Sequence, residues 1–181
     1  MRQHVHGWSI VELVVTMLIV AILALMATSL YRDAQAKVAS NSLREGILAA
    51  LLKARSEATG REHIVIMCPS TDRWHCADTE AWHHGFVLIA DQNGNGRPDA
   101  TESRLFSQTE ITPHAHALSS RGRRLLRFHP NAGNAGSNVT FTFCDRRGAE
   151  FASGLAMSNT GNYREVDPAE AALAGACAGF G

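Results

Sequence analysis

Oxygen-bearing side chains recur between residues 91 and 102 at the spacing of a calcium-binding loop. The residues at the ligand positions are Asp91, Asn93, Asn95, Arg97 (through its carbonyl), Asp99 and Glu102, which fit the pattern D-x-[DN]-x-[DN]-G-x5-E. Because only three of them are carboxylates, a calcium site here would be weak, of the millimolar class that extracellular modules use. The same Asn-Gly-Asn-Gly sequence is also typical of a tight hairpin turn, which is the alternative interpretation.

A group of arginines could bind the phosphates of nucleic acid. Arg121, Arg123, Arg124 and Arg127 fall within seven residues. Clustered arginines neutralise phosphates without reading the base sequence, so the cluster predicts salt-dependent binding to DNA. The alternative is a solvated loop beside a strand edge. The formal net charge of the chain is zero, so attraction to DNA could come only from such a local patch.

One acid interrupts an apolar run near the N-terminus. From residue 8 to residue 30, Glu12 is the only ionisable side chain, and 23 residues are enough to cross a bilayer core of about 30 Å as a helix. An ionised carboxylate in hydrocarbon costs at least about 2.5 kcal/mol. Glu12 is therefore predicted to be a functional residue with a partner, the alternative being an anchor that tolerates one acid near its end.

Catalytic motifs are absent from the sequence. It contains no G-x-S-x-G elbow, no P-loop and no H-E-x-x-H, and its acids are scattered singly. We therefore predict no enzymatic activity, no catalytic residue and no cofactor apart from the weak calcium site. Histidines such as His75, His83 and His84 leave zinc as an alternative, although the cysteines lack the C-x-x-C doublets that structural zinc sites prefer.

Four cysteines all follow the apolar run: Cys68, Cys76, Cys144 and Cys177. An N-terminal anchor would leave them outside the cytoplasm, where an even number of cysteines suggests two disulfides. Three connectivities are possible. Distance along the chain favours Cys68–Cys76 across a short turn and Cys144–Cys177 as the pin of the tail, but the sequence alone does not choose.

A long helix is expected to carry Glu12. No proline or glycine occurs from residue 8 to residue 45, so the apolar helix should continue to residue 59, with Gly60 as its C-terminal cap. One apolar face follows a helical period and should pack on a domain; its residues are Leu43, Ile47, Leu51, Ala54 and Ala58. This divides the chain into an apolar helix 8–30, an amphipathic continuation 31–60 and a head 61–181.

The head is predicted to be rich in strands. Short apolar or alternating runs are separated by Gly, Asn, Asp and Pro clusters; they are His63–Cys68, Gly85–Ala90, Ser103–Ser107, Leu125–His129, Val139–Cys144 and Leu155–Ser158. In one run Val139, Phe141 and Phe143 share a face opposite Thr140 and Thr142, which predicts a half-solvated sheet. The expected fold is α+β, a long N-terminal helix packed on an antiparallel β-sheet head with two disulfides.

The N-terminus resembles the class III signal of type IV prepilins and type II secretion pseudopilins. The resemblance rests on Gly7, Trp8, Ser9 and Glu12 followed by an unbroken apolar helix. It implies that a prepilin peptidase removes the leader 1–7 by cutting between Gly7 and Trp8 and then methylates the Trp8 amine. Trp8 stands where the family usually carries phenylalanine. In a filament, Glu12 could neutralise the Trp8 amine of a neighbouring subunit, which removes two buried charges together.

Several segments narrow the resemblance to minor pilins of the FimT and FimU type and the related pseudopilin GspH. They are LLKARSEATGR, IVIMC, WHHGFVLIADQNGNG and LAMSNTGNYR. The resemblance implies a pilin-like fold and a structural subunit that helps to initiate or cap a type IV pilus, supporting biogenesis, twitching or DNA uptake. Implied partners are other minor and major pilins, met through the helix. The implied location is the inner membrane, single-pass with a periplasmic head, and then the filament.

Two alternatives stay open within this resemblance. The first is a minor pseudopilin of type II secretion, and the second is a DNA-binding receptor of a competence pilus. For the second, the family implies arginines near a GRxR motif, and this chain reads Gly161, Asn162, Tyr163, Arg164. Arg164 is kept as a candidate contact for double-stranded DNA, whereas asparagine replaces the first arginine.

Overall fold

The computed structural model describes residues 9–99, 101–109, 112–131 and 137–178, leaving aside the side chains of residues 26, 27 and 29. Contacts divide the chain into two units, residues 1–35 and residues 36–181. The predicted leader 1–7 and Trp8 lie outside the described residues.

Helix α1 (Ile10–Arg61) is continuous, as the lack of proline and early glycine predicts. The prediction that Gly60 caps the helix is wrong, because the helix includes Gly60 and ends at Arg61. The left-handed conformation that often ends a helix is taken by Glu62, at φ 58°. Within the first unit, every described side chain from Ile10 to Leu30 is exposed. Among the described residues, α1 is the one helix long and apolar enough to cross a membrane.

Among the described residues of the second unit, eight strands and two short helices follow α1. They are β1 (Ile64–Pro69), β2 (Gly85–Asp91), β3 (Arg104–Thr109), β4 (Ala115–Ser119), β5 (Leu126–Phe128), β6 (Val139–Asp145), β7 (Ser153–Met157), β8 (Tyr163–Val166), a 3-10 turn (Ala149–Phe151) and α2 (Glu170–Ala176). The strands form two antiparallel sheets of four: sheet A in the order β3-β2-β1-β5 and sheet B in the order β4-β6-β7-β8. The predicted α+β fold is confirmed.

All six predicted strands are present, and the described residues contain two further strands, β4 and β8, that the sequence pattern does not predict. Strand β4 buries Ala115, Ala117 and Ser119, which are small residues with little intrinsic preference for strands. Strand β8 carries Arg164 and Glu165 at its centre, as suits the exposed edge of a sheet. Both strands are specified by their neighbours in the sheet more than by an apolar pattern of their own.

A single core joins α1 to both sheets. The predicted stripe of α1 is buried as expected, with Leu43, Ile47 and Leu51 fully inaccessible, and it packs with the inner residues of sheets A and B. Each such side chain contributes about 1.5–3 kcal/mol through removal of its apolar surface from water. Val139, Phe141 and Phe143 of β6 point into this core, also as predicted.

The face of β6 predicted to be solvated is partly covered. Thr142 is buried, and α2 packs on β4 and β6. The cause is the second disulfide, Cys144–Cys177, which ties the end of α2 to β6. The other disulfide is Cys68–Cys76, so these are the pairs that chain distance favoured. The alanines of this segment favour the short helix α2, for which the sequence pattern predicts no element.

The two disulfides should contribute unequally to stability. Cys144–Cys177 spans 33 residues and Cys68–Cys76 spans 8, so the chain-entropy model gives about 4 and about 2.5 kcal/mol respectively. We expect the double variant Cys144→Ala/Cys177→Ala to unfold at a lower denaturant concentration than Cys68→Ala/Cys76→Ala. Chemical denaturation of the full chain in mild detergent measures both midpoints, and an equal or reversed loss would contradict the assignment of the longer bridge as the main restraint.

Candidate functional sites

Glu12 lies in the first turn of α1. The chain enters the helix at Ser9, whose carbonyl accepts the Leu13 N–H at 3.1 Å and whose hydroxyl oxygen accepts the Val11 N–H at 3.3 Å. A carboxylate in this position is favoured by the positive end of the helix dipole. The apolar side chains around it, such as Ile10 and Leu13, are exposed. Gly7 and Trp8 lie outside the described residues, so cleavage and methylation stay predictions.

The residues of the calcium pattern do come together in one loop, but their side-chain oxygens accept hydrogen bonds from other groups of the same loop. Both carboxylate oxygens of buried Asp91 accept backbone N–H groups, from Asn95 at 3.1 Å and Gly96 at 2.8 Å. Glu102 accepts the N–H of Asp99 at 3.0 Å, and Asp99 accepts the Asn95 side-chain amide at 2.8 Å. No group of three or more His, Cys, Asp or Glu residues in the described part of the chain is arranged to hold a metal. Calcium binding stays a prediction.

A hydrogen bond ties this loop to the outer face of sheet A. On that face, register places Arg127, Ile66, Ile89 and Arg104 in one row across the four strands. The Arg127 guanidinium donates through Nε to the Gly96 carbonyl at 2.9 Å. Ile66 and Ile89, which lie between the two arginines in this row, are almost inaccessible. The structure therefore shows residues 91–102 as a loop held by its own hydrogen bonds and by Arg127.

The residues of the arginine cluster take different partners within the head. Arg124 pairs with Asp78 at 2.8 Å and with Glu80 at 3.5 Å, while Arg123 donates to the Asn138 side-chain oxygen at 2.7 Å. Arg127, as shown above, holds the loop over sheet A. Arg121 is exposed. Three of the four predicted DNA contacts thus already have partners within the head, and DNA binding by this cluster stays a prediction.

Tyr163 and Arg164, neighbours in the block Gly161–Arg164, have different environments. Tyr163 packs against the core, and its hydroxyl is inaccessible and has no hydrogen-bond partner among the described residues, so burial raises its pKa. A side chain held in this way cannot stack on a base. Arg164 is exposed on β8, and Gly161 takes φ 75° in the hairpin that precedes it.

The histidines form a stack, and the cysteines are unavailable to zinc. Rings of His84 and His116 lie 4.1 and 4.4 Å from the ring of His83, but both cysteine pairs are disulfides. His83 is nearly inaccessible and its Nδ1 lies 3.2 Å from the Ala117 carbonyl. Burial, with smaller contributions from the neighbouring histidines, lowers the pKa of His83 to about 4.

One contact of an exposed aromatic side chain could not be predicted from the sequence. Trp74 lies in the loop closed by Cys68–Cys76, and the Arg104 guanidinium stacks 3.5 Å from its ring centroid. Arg104 also donates to the Arg73 carbonyl at 3.1 Å. The contact joins a loop residue to a residue of β3 far along the chain, so only the fold brings them together.

Comparison with known proteins gives one family and one recurring fold. The sequence profile of the family described as type II transport protein GspH matches residues 44–161, more than half of the chain. The structure is similar to two crystal forms of the type IV minor pilin FimU of Pseudomonas aeruginosa PAO1. The first crystal form is 19% identical at a TM-score of 0.52, and the match covers 72% of this chain and 91% of FimU. The second is 18% identical at a TM-score of 0.54, and the match covers 75% of this chain and 90% of FimU.

A third structure is the minor pseudopilin EpsH from the type 2 secretion system of Vibrio cholerae. It is 11% identical at a TM-score of 0.48, with 75% of this chain and 98% of EpsH covered. No curated protein sequence matches the chain.

We expect the side chain of Arg127, but not that of Arg121, to stabilise the fold. Replacing Arg127 by alanine removes a charge-assisted hydrogen bond to the Gly96 carbonyl of the loop 91–102, which should lower the free energy of unfolding by about 1–2 kcal/mol. Arg121→Ala, at an exposed position, should change it by less than about 0.5 kcal/mol. Denaturation midpoints of the two variants test this difference, and equal effects would show that the loop contact is unimportant.

His83 should make the head less stable in acid. Its folded pKa of about 4 lies below the ordinary histidine value of 6.5, so the unfolded chain binds more protons and stability falls as the pH drops from about 6.5 to about 4. The loss is at most about 3 kcal/mol. In His83→Asn, which can keep the contact to Ala117 without titrating, the pH profile should be flatter over this range. His114→Gln, an exposed control, should retain the slope of the parent chain.

Proposed function

We propose, from the premise that this chain belongs to the family described as type II transport protein GspH, that it is a minor subunit of a type IV pilus. The family consists of structural minor pilins and pseudopilins rather than enzymes, and its members assemble with other pilins. The subunit would help to initiate or cap the filament. Its apolar N-terminal helix is consistent with a membrane anchor, and we place it in the inner membrane, single-pass, before assembly.

The observation that carries this proposal is the acid at the start of the exposed apolar helix. Through the first twenty residues of helix α1, the sequence contains only apolar and hydroxyl residues beside Glu12. Such a surface needs a lipid or protein environment, and an acid within it needs a positive partner. After removal of residues 1–7, the amine of Trp8 on a neighbouring subunit would supply that charge. The pair would align the two helices and neutralise both groups.

A pseudopilus of type II secretion is the second candidate. The description of the family favours it, whereas the two structures whose fold the chain shares are those of a type IV minor pilin. Both filaments would use the same helix and the same acid. The distinction therefore lies in which process stops when the subunit is lost. Deletion should abolish surface fibres and twitching if the pilus is correct, and secretion of exoproteins if the pseudopilus is correct.

Glu12→Gln should prevent incorporation into the filament. The neutral amide keeps the size of the side chain but leaves the Trp8 amine of the neighbour unpaired, so the subunit should fall at least about tenfold in sheared fibres while its level in the membrane is unchanged. Asp33→Asn, also an exposed acid on α1 but beyond the apolar run, is the control and should assemble normally.

Immunoblots of sheared and membrane fractions measure both variants. Mass spectrometry of the membrane fraction checks that cleavage follows Gly7 and that the Trp8 amine carries one methyl group. A Glu12→Gln subunit found in fibres at the level of the parent would refute the role of this acid.

A further inference from the structure

The loop 91–102 contains both Asn-Gly pairs of the sequence, Asn93–Gly94 and Asn95–Gly96. An asparagine followed by glycine can lose its side-chain amide without a catalyst, because glycine has no side chain to hinder attack by its backbone nitrogen on the asparagine Cγ. Both asparagines are exposed to water. The residue types are the same in the two pairs, so the fold is what can make one pair react before the other.

The side chains of the two asparagines are held in the same way. The Asn93 oxygen accepts the N–H of Asn95 at 3.0 Å, and the Asn95 oxygen accepts the N–H of Arg97 at 2.7 Å. Both NH₂ groups donate to the same oxygen of Asp99, at 2.7 and 2.8 Å. A donor on a carbonyl oxygen stabilises the oxyanion that forms when its carbon is attacked, so the two Cγ atoms are comparable electrophiles.

The two pairs differ at the nitrogen that would attack. The Gly96 N–H donates to the Asp91 carboxylate at 2.8 Å, whereas the Gly94 N–H has no hydrogen-bond partner in the described part of the chain. Attack requires the nitrogen to lose its proton, and the anion left at Gly96 would face a carboxylate of the same charge. The glycines share a conformation, with φ 70° and 71°, but the Arg127 guanidinium crowds Gly96 while the space at Gly94 is open.

We propose that Asn93 is a site of spontaneous deamidation and that Asn95 is protected from the same reaction. The Gly94 nitrogen gives its proton to water and forms a bond to the Asn93 Cγ. The Cγ–Nδ2 bond then breaks, and the side-chain nitrogen takes up protons from water and leaves as ammonia. The product is a cyclic succinimide, which water opens to aspartate or isoaspartate. The net reaction converts an amide and one water molecule into a carboxylic acid and ammonia.

The product changes the loop, because Asp99 loses a hydrogen-bond donor and meets a new negative charge. In the unmodified chain the Asn93 NH₂ lies 2.7 Å from the Asp99 carboxylate. An aspartate at position 93 places a second carboxylate in this contact, and the two repel each other. Isoaspartate also lengthens the backbone before Gly94. Deamidation therefore loosens the loop irreversibly, as a function of the age of the molecule.

Peptide mapping of the full chain by mass spectrometry tests the proposal. The folded chain in maltoside detergent is incubated at mildly alkaline pH with a chelator, and the same chain, reduced and unfolded in denaturant, is incubated beside it. In the folded chain Asn93 should deamidate at least about tenfold faster than Asn95, because the second reaction must first break a charge-assisted hydrogen bond. In the unfolded chain, which lacks that hydrogen bond, the two rates should be similar.

Two variants separate this hydrogen bond from a general loosening of the loop. Asp91→Asn removes the carboxylate that holds the Gly96 N–H, so the rate at Asn95 should rise toward that at Asn93. Asp99→Asn weakens the contact that both asparagines share but keeps the hydrogen bond between Gly96 and Asp91. The preference for Asn93 should therefore remain in Asp99→Asn.

Asn93→Asp supplies the product directly and should unfold at a lower denaturant concentration than the parent chain. Asn41→Asp, at an exposed position of α1, adds the same charge and should keep the parent midpoint. Equal rates at Asn93 and Asn95 in the folded chain, or an Asn95 rate that stays low in Asp91→Asn, would overturn the proposal. Faster reaction at Asn95 would also overturn it, and would show that Asp91 accepts the Gly96 proton as a general base. A parent midpoint in Asn93→Asp would contradict the loosening of the loop.

Discussion

The buried stripe of helix α1 is the contact on which the second unit depends. Leu43, Ile47 and Leu51 are inaccessible and meet side chains from both sheets, so neither sheet has a complete core without the helix. A four-stranded sheet with one apolar face needs another layer to cover it. Here one helix face supplies that layer to two sheets, and this explains why its residues follow a helical period so strictly.

The sheets are also joined directly by a short segment before β2. Trp82 donates its backbone N–H to the Ala117 carbonyl of β4 at 2.9 Å, and its ring meets Phe141 of β6 edge to face at 5.3 Å. The same segment continues into sheet A, so it closes the edge of β4 and links both sheets. Burial of His83 follows from this position, and so does its lowered pKa. The acid sensitivity that we predict is thus a consequence of how the two sheets are connected.

A structural feature could be predicted from the sequence where the interactions that create it are local, and not where they join residues distant along the chain. The helix, the six apolar strands and the face of Phe141 and Phe143 depend on local period and could be predicted. Strand β4 and helix α2 could not, because Ala115 and Ala117 become strand residues through pairing with β6, and α2 is held by Cys177. Among the candidate sites, the arginines that cluster in sequence take separate partners, and two of these, Asp78 and Gly96, are distant along the chain.

The contacts of the asparagines beside β8 show the same dependence on folding. Asn138 and Asn159 are ordinary surface residues in sequence, and the structure shows that the side-chain oxygen of each accepts a hydrogen bond, from Arg123 and from the Asn138 N–H respectively. That can be known only when the donor on the other side is known. Glu12 is the opposite case, because its environment is its own apolar helix and the sequence already contains it. The surroundings of Glu12 in the first unit can therefore be predicted from the sequence, whereas the side-chain contacts of the second unit exist only in the folded chain.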